Sequence, residues 1–176
     1  IVHLVTLPII ISLSRIICYA IFMHTIILVA DNIRSTHNVG SLLRTCDGLG
    51  ISAVYLCGIT PYPLMHSADT RLPHLSHKIS KDIHKTALGA EHTVTWRYFK
   101  TTSDAVAELK NKNFTVVALE QAKNSILLQD YKLTHNTALI VGPEVTGISD
   151  EILSQVDTTI EIPMQGTKES LNVSVA

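Results

Sequence analysis

Residues 25–45 read TIILVADNIRSTHNVGSLLRT: an apolar β-branched run, a short polar break, then a helical pattern. In the helical part Val39, Leu42, Leu43, Cys46 and Leu49 recur at i, i+3, i+4, i+7 and i+10 and so share one apolar face. Asn38, Ser41, Arg44 and Thr45 fall on another side. The same strand-then-helix alternation continues along the chain. Runs at 25–30, 53–58, 92–98, 114–120, 137–144 and 158–163 alternate with helix candidates at 39–49, 76–88, 103–112 and 149–155, with Ser103 and Ser149 as candidate N-caps. Near-continuous apolar runs mark strands buried on both faces, so this order predicts an α/β fold, a mainly parallel sheet with helices on both faces. The loop PYPLMHSADTRLPH (61–74), with its three prolines, is expected outside the core as a substrate-facing flap.

With 176 residues, 46% hydrophobic and 16% charged, the chain suits one ordinary domain with a real core. Fourteen Lys and Arg against fifteen Asp and Glu give a formal charge of −1, so contact with nucleic acid requires local clusters or the combined surface of an oligomer. Cys18, Cys46 and Cys57 are odd in number and form no CxxC pair, which argues against a disulfide framework and suits a reducing cytoplasm. His74 and His77 lack a carboxylate or cysteine partner set, so no metal site is expected.

Residues 1–22 are apolar but interrupted by Pro8 and Arg15, with no clean run of about 20 apolar residues, which argues against a membrane span. A membrane anchor and an uncleaved signal-like segment remain as readings. We favour translated sequence upstream of a start at Met23, which would make 23–176 the folded domain. The chain end SLNVSVA reads as the first turns of a helix that continues further.

Three strand ends carry the polar groups. Asn38, Ser41 and Arg44 offer an amide, a hydroxyl and a guanidinium beside a helix N-terminus whose free N–H groups favour phosphate, and Arg34 in the preceding loop could meet a second phosphate. An Asn38 N-cap with solvated arginines fits the spacing equally well. In VGPEVTGIS (141–149), Gly142 permits close backbone approach to a ligand and Pro143 stiffens the turn, fixing Glu144 at the mouth of the sheet. An ordinary Pro-Gly turn with an exposed Glu is the alternative. In IEIPMQGTKESLNVSVA (160–176), a strand, a glycine loop and a helix opening at Ser170 surround one concavity with free backbone groups, and Asn172 lies close by. Neither a GxGxxG nor a GxxxxGK[ST] pattern is present.

Together NIRSTHNVGSLLRT (32–45), LIVGPEVTGIS (139–149) and IPMQGTKESLNVSVA (162–176) resemble, in residue type, spacing and order, the three motifs of the SpoU-type SPOUT methyltransferases, which methylate ribose 2′-hydroxyls of tRNA or rRNA. The resemblance spans roughly 25–176. It implies an α/β domain with a C-terminal trefoil knot, S-adenosylmethionine as methyl donor, a homodimer, and a closing helix beyond SLNVSVA at the cofactor and dimer interface. By motif position Asn38 and Arg44 resemble the catalytic pair, Glu144 the second-motif acid, and Ser170 and Asn172 the third-motif polar pair. Gly142, Ile162 and Leu171 resemble positions that hold the cofactor, joined by Leu119 at the preceding strand end. Arg34, Asn38 and Arg44 would face RNA. With no room for a separate RNA-binding domain before Met23, a compact tRNA is slightly favoured over rRNA. The rival readings are a non-catalytic RNA-binding module of the same fold, a small-molecule α/β enzyme, and a membrane-anchored protein resting on residues 1–22.

Overall fold

In the first strand, β1 (Ile26–Asp31), alternate residues serve two cores: Leu28 and Ala30 pack on one side of the sheet, Ile27 and Val29 on the other. Burial on both faces explains why the strand reads as an unbroken apolar run. The computed structural model describes residues 24–65, 69–133, 135–167 and 170–176, so the segment 1–22 and Met23 lie outside the described residues. After β1 follow α1 (Thr36–Leu49), β2 (Ala53–Cys57), α2 (Pro73–Ala87), α3 (Ala90–Thr93), β3 (Trp96–Phe99) and α4 (Thr102–Asn111). The second half contains β4 (Thr115–Leu119), β5 (Ile126–Leu127), β6 (Thr137–Val141), α5 (Asp150–Leu153) and β7 (Thr158–Glu161).

All neighbouring strands pair in parallel, in the order β3-β2-β1-β6-β4-β7-β5. The chain builds outward from β1 through β2 to β3, then crosses to the other side, and β6 enters between β1 and β4. Ligands of open α/β sheets gather at the carboxyl ends of strands where the order reverses, and that point here is β1, β6, β4 and β7. Residues of α1, α2 and α3 cover one face through Val39, Leu43, Ile83 and Ala90, while α4 and α5 cover the other through Val106, Leu109 and Ile152. The α1–α2 crossing is close: a Cβ on Gly40 would stand 2.3 Å from the Ile83 carbonyl oxygen.

Several expected details differ. The first helix begins at Thr36 with Ser35 as its cap, and Leu49 is 65% exposed, so it leaves the apolar face formed by Val39, Leu42, Leu43 and Cys46. Thr101, not Ser103, caps α4, because Thr101 Oγ1 accepts the Asp104 N–H at 3.1 Å while its own hydroxyl donates to Asp104 Oδ2 at 2.6 Å. Ser149 does cap α5. The run 92–98 splits: His92 and Thr93 are helical in α3, fastened by the Thr93 hydroxyl on Asp47 at 2.7 Å, and only 96–99 pair as a strand. Two-residue β5 carries too short a pattern to be read in sequence.

The described part of loop 61–74 is strapped down at the β3 edge. Arg71 donates to the Tyr62 and Pro63 carbonyls at 2.8 and 2.9 Å, pairs with Asp69, and lies 3.7 Å over the Tyr62 ring, which packs on Tyr98. Residues 66–68 lie outside the described residues. Among the described residues no helix is long and apolar enough to cross a membrane.

Candidate active site

The turn after β1 is held rigid from behind. Thr60 Oγ1 donates to the Ala30 carbonyl and accepts the Ile33 N–H, both at 3.0 Å, and Asn32 Oδ1 accepts the Ile59 N–H at 3.1 Å. Ser35 Oγ takes the cap role by accepting the Asn38 N–H at 3.3 Å, which leaves the Asn38 side chain available. That amide donates from Nδ2 to Glu144 Oε1 at 2.7 Å. The same carboxylate oxygen accepts the Val173 N–H at 3.4 Å, and Asn172 Nδ2 donates to Asn38 Oδ1 at 3.5 Å. Residues from all three motifs therefore meet, across sequence separations of 106 and 134.

Glu144 sits on a loop whose shape depends on Gly142. A Cβ there would lie 2.6 Å from Ile148 Cγ1 and 3.0 Å from the Ile148 nitrogen, so the glycine is required for closure of its own loop as well as standing at the cavity wall. Glu120, at the end of β4, completes the closure by accepting the Ile148 N–H on Oε2 at 2.8 Å. Sequence reasoning missed Glu120; its one signal is an acid standing at the end of a buried strand, as Glu144 does.

Two cavities adjoin this loop. The larger, about 470 Å³, lies over the ends of β4, β6 and β7, and its lining includes Leu119, Gly142, Ile162 and Leu171 together with Glu144 and Ser170. The second, about 330 Å³, is lined by Arg34, Asn38, Ile59, Glu144 and Val145 among others. Residues 143–147 and Val173 line both, so the Glu144 loop is their common wall. Val173, also missed in sequence, is buried and packs with the α1 side of the core, anchoring the chain end.

The third motif differs in its cap. Asn172 Oδ1 accepts the Ser174 N–H at 2.9 Å and its hydroxyl at 2.6 Å, and the Val175 N–H donates to the Asn172 carbonyl at 2.8 Å. The helix expected to open at Ser170 is thus a turn opening at Asn172, with Ser170 exposed at the rim of the larger cavity. Arg44 departs further from expectation. Six residues beyond Asn38 on a helix means about 9 Å of rise and a rotation of about 240°. Arg44 is exposed, lines neither cavity, and makes no side-chain hydrogen bond or ion pair among the described residues.

The larger cavity fits a cationic ligand of S-adenosylmethionine size. Its volume is in the range of small-molecule sites, and among the described residues its lining carries Glu120, Glu144, Asp150 and Glu161 but no Lys, Arg or His. Carboxylates around an apolar floor suit a sulfonium and an ammonium. Among the described residues no group of three or more His, Cys, Asp or Glu could hold a metal ion. Burial pushes the Cys46 and Cys57 thiols up to about 12, which keeps both out of thiolate chemistry.

Comparison with known proteins relates the chain to RNA-modifying enzymes. A tRNA (guanosine(18)-2′-O)-methyltransferase of Aquifex aeolicus is 32% identical over 154 residues, covering 86% of this chain and 64% of that enzyme. A 23S rRNA (guanosine-2′-O-)-methyltransferase of Acinetobacter baylyi is 30% identical over 152 residues, covering 86% of this chain and 55% of the relative. The chain therefore spans a little over half to just under two thirds of these relatives' lengths. The crystal structure of the A. aeolicus TrmH/SpoU tRNA modifying enzyme superposes with a TM-score of 0.66 at 28% identity, covering 92% of this chain and 76% of that one. The model of the SpoU rRNA Methylase family matches residues 25–176, and the chain belongs to that family.

Proposed function

We propose that the chain is an S-adenosylmethionine-dependent RNA methyltransferase acting on a ribose 2′-hydroxyl of tRNA or rRNA, tRNA being favoured. One observation carries this reading: the Glu144 loop is the wall shared by an acidic cavity of ligand size and a second cavity lined by Asn38 and Arg34. Methyl transfer needs a donor and an acceptor held close together, and a shared wall sets the two cavities side by side.

When bound, S-adenosylmethionine supplies an electrophilic sulfonium methyl group. Leu119, Gly142, Ile162 and Leu171 hold that ligand, and the carboxylates around it balance its positive charge. Asn38 positions the target ribose in the second cavity, where Ile59 and the 95% exposed Val145 offer apolar surface to an unstacked base. Glu144 fixes the Asn38 amide through the 2.7 Å bond, and Asn172 with Ser170 completes the polar shell. As the new O–CH₃ bond forms and the C–S bond breaks, the 2′-hydroxyl proton leaves to water or to a neighbouring phosphate. A guanidinium is too weak a base for that step. Arg34 and Arg44 are accordingly assigned to RNA phosphates, Arg44 from outside the cavities.

The reading includes residues 23–176 as the catalytic domain, a homodimer, a knotted C-terminal segment and a cytoplasmic setting; free, buried Cys46 and Cys57 support the last. The test is incubation with methyl-labelled S-adenosylmethionine and, separately, total tRNA and rRNA, followed by nucleoside analysis. Label in a 2′-O-methyl nucleoside is expected. Cofactor binding with no transfer would reduce the chain to a binding module, and label on bases or only on small molecules would overturn the substrate assignment.

A further inference from the structure

A chain of net charge −1 has no overall field to attract RNA, so a polyanion needs a local cationic surface. Helix α2 carries one. His74, His77, Lys78, Lys81, His84 and Lys85 are all exposed, and at helical spacing they fall within an arc of about 120°. The opposite side holds the buried residues Ser76, Ile83 and Ala87. The single acid of the helix, Asp82, stands just outside the arc and is tied to Lys85 at 2.6 Å, while His84 faces the buried Glu91 at 2.5 Å. The side chains of His74, His77, Lys78 and Lys81 make no hydrogen bond or ion pair with a described residue.

The stripe is continuous with the active site. At its C-terminal end the Thr86 hydroxyl donates to the His37 carbonyl at 2.8 Å, one residue from Asn38. His37 is itself exposed and close enough to Asp82 to help hold that carboxyl below its usual range, after Lys85 and Lys78. From Lys85 back to His74 the helix runs about 16 Å away from the ribose site. Lysines clustered along one helix face are the footprint of phosphate-backbone contact, and exposed imidazoles beside them can donate hydrogen bonds to phosphate oxygens.

We propose that the exposed face of α2 is the RNA docking surface of this chain, gripping the sugar-phosphate backbone of the strand whose target ribose enters beside Asn38. This rests on the RNA reading above. It assigns affinity to Lys78 and Lys81 and gives them no part in the transfer step.

The experiment measures binding of labelled total tRNA over a salt series by the wild-type chain, by the double variant Lys78→Gln/Lys81→Gln, by Lys81→Gln alone, and by Lys110→Gln/Lys112→Gln at the C-terminal end of α4. Two lost phosphate contacts should lower the slope of log affinity against log salt by about 1.4–1.8, and the single variant by about half of that. The α4 variant, with the same change in net charge, should keep the wild-type slope. Equal slopes throughout overturn the proposal, as does an equal loss in both double variants, since that would be an effect of net charge alone. A wild-type chain that methylates RNA while all slopes agree sinks the α2 surface and spares the enzyme. A chain that binds through α2 and transfers no methyl group does the reverse.

Discussion

Gly40→Ala should loosen the joint between α1 and α2 on which the position of Asn38 depends. A Cβ at residue 40 would stand 2.1 Å from Thr86 Oγ1, 2.3 Å from the Ile83 carbonyl oxygen and 2.9 Å from the Ala87 nitrogen. The hydroxyl can rotate away, at the loss of its bond to the His37 carbonyl, about 1 kcal/mol. The two backbone atoms cannot. Ordinary contact distances then require the helices to separate by roughly 1 Å. Overpacking of this kind costs about 1–3 kcal/mol, and the gain of alanine over glycine in a helix returns about 1 kcal/mol. The expected net destabilisation is about 1–3 kcal/mol, a large share of the roughly 5–15 kcal/mol that holds a domain folded. Gly48→Ala in the same helix is the contrast: nothing lies within 4 Å of its Cβ, so it should stabilise, by about 0.5–1 kcal/mol. Parallel urea titrations read both signs. A Gly40→Ala midpoint at or above wild type, or two shifts of the same sign, would refute the close-crossing argument. Because Asn38 shares the displaced turn, methyl transfer by folded Gly40→Ala should fall by on the order of a hundredfold per ångström of misplacement.

Three other outcomes follow from single contacts. Glu144→Ala removes the acceptor for the Asn38 amide and the Val173 N–H. Methyl transfer should drop about a hundredfold or more in single-turnover assays at saturating cofactor; an unchanged rate would dismiss the positioning role. Glu120→Ala leaves the Ile148 N–H without its 2.8 Å partner, so calorimetry should read weaker cofactor binding and urea titration a loss of about 1 kcal/mol, while Glu120→Gln, which keeps an acceptor oxygen but not the charge, should recover most of the stability. Arg97 and then Lys112 hold the Glu108 carboxyl at about 2, below its ordinary 4.5. A carboxylate with a depressed folded pKa contributes stability above its unfolded value and loses it as pH falls toward the folded one. The urea midpoint should therefore decline between these values, and Glu108→Gln should flatten that decline; an identical acid limb in the variant would count against the pairing.

What could be read from residues alone was whatever repeats locally. Burial on both faces makes β1, β2, β4 and β6 near-continuous apolar runs, and helical spacing separates the buried Val39, Leu42, Leu43 and Cys46 of α1 from its polar side. The order and spacing of three strand-end motifs carried the family. Local chemistry also misled. Ser35 competes with Asn38 for the same cap and wins by standing three residues ahead of the N–H it accepts, and Asn172 takes the turn that Ser170 was expected to open. Thr93 prefers strands by type, yet its bond to Asp47 helps hold it in α3.

Strand order is a non-local property, and only the tertiary structure decided it. With β6 inserted between β1 and β4, the segments bearing Asn38, Glu144 and Asn172 converge, and the Glu144 loop becomes the wall between two cavities. The same structure exposed the lysine-bearing face of α2, while the distance of Arg44 from that cluster follows from helical rise and rotation alone. A sequence determines which side of a helix a residue occupies, because that follows from 100° per residue. It does not reveal what that side faces, because the facing groups lie on distant segments whose placement depends on the packing of the whole sheet.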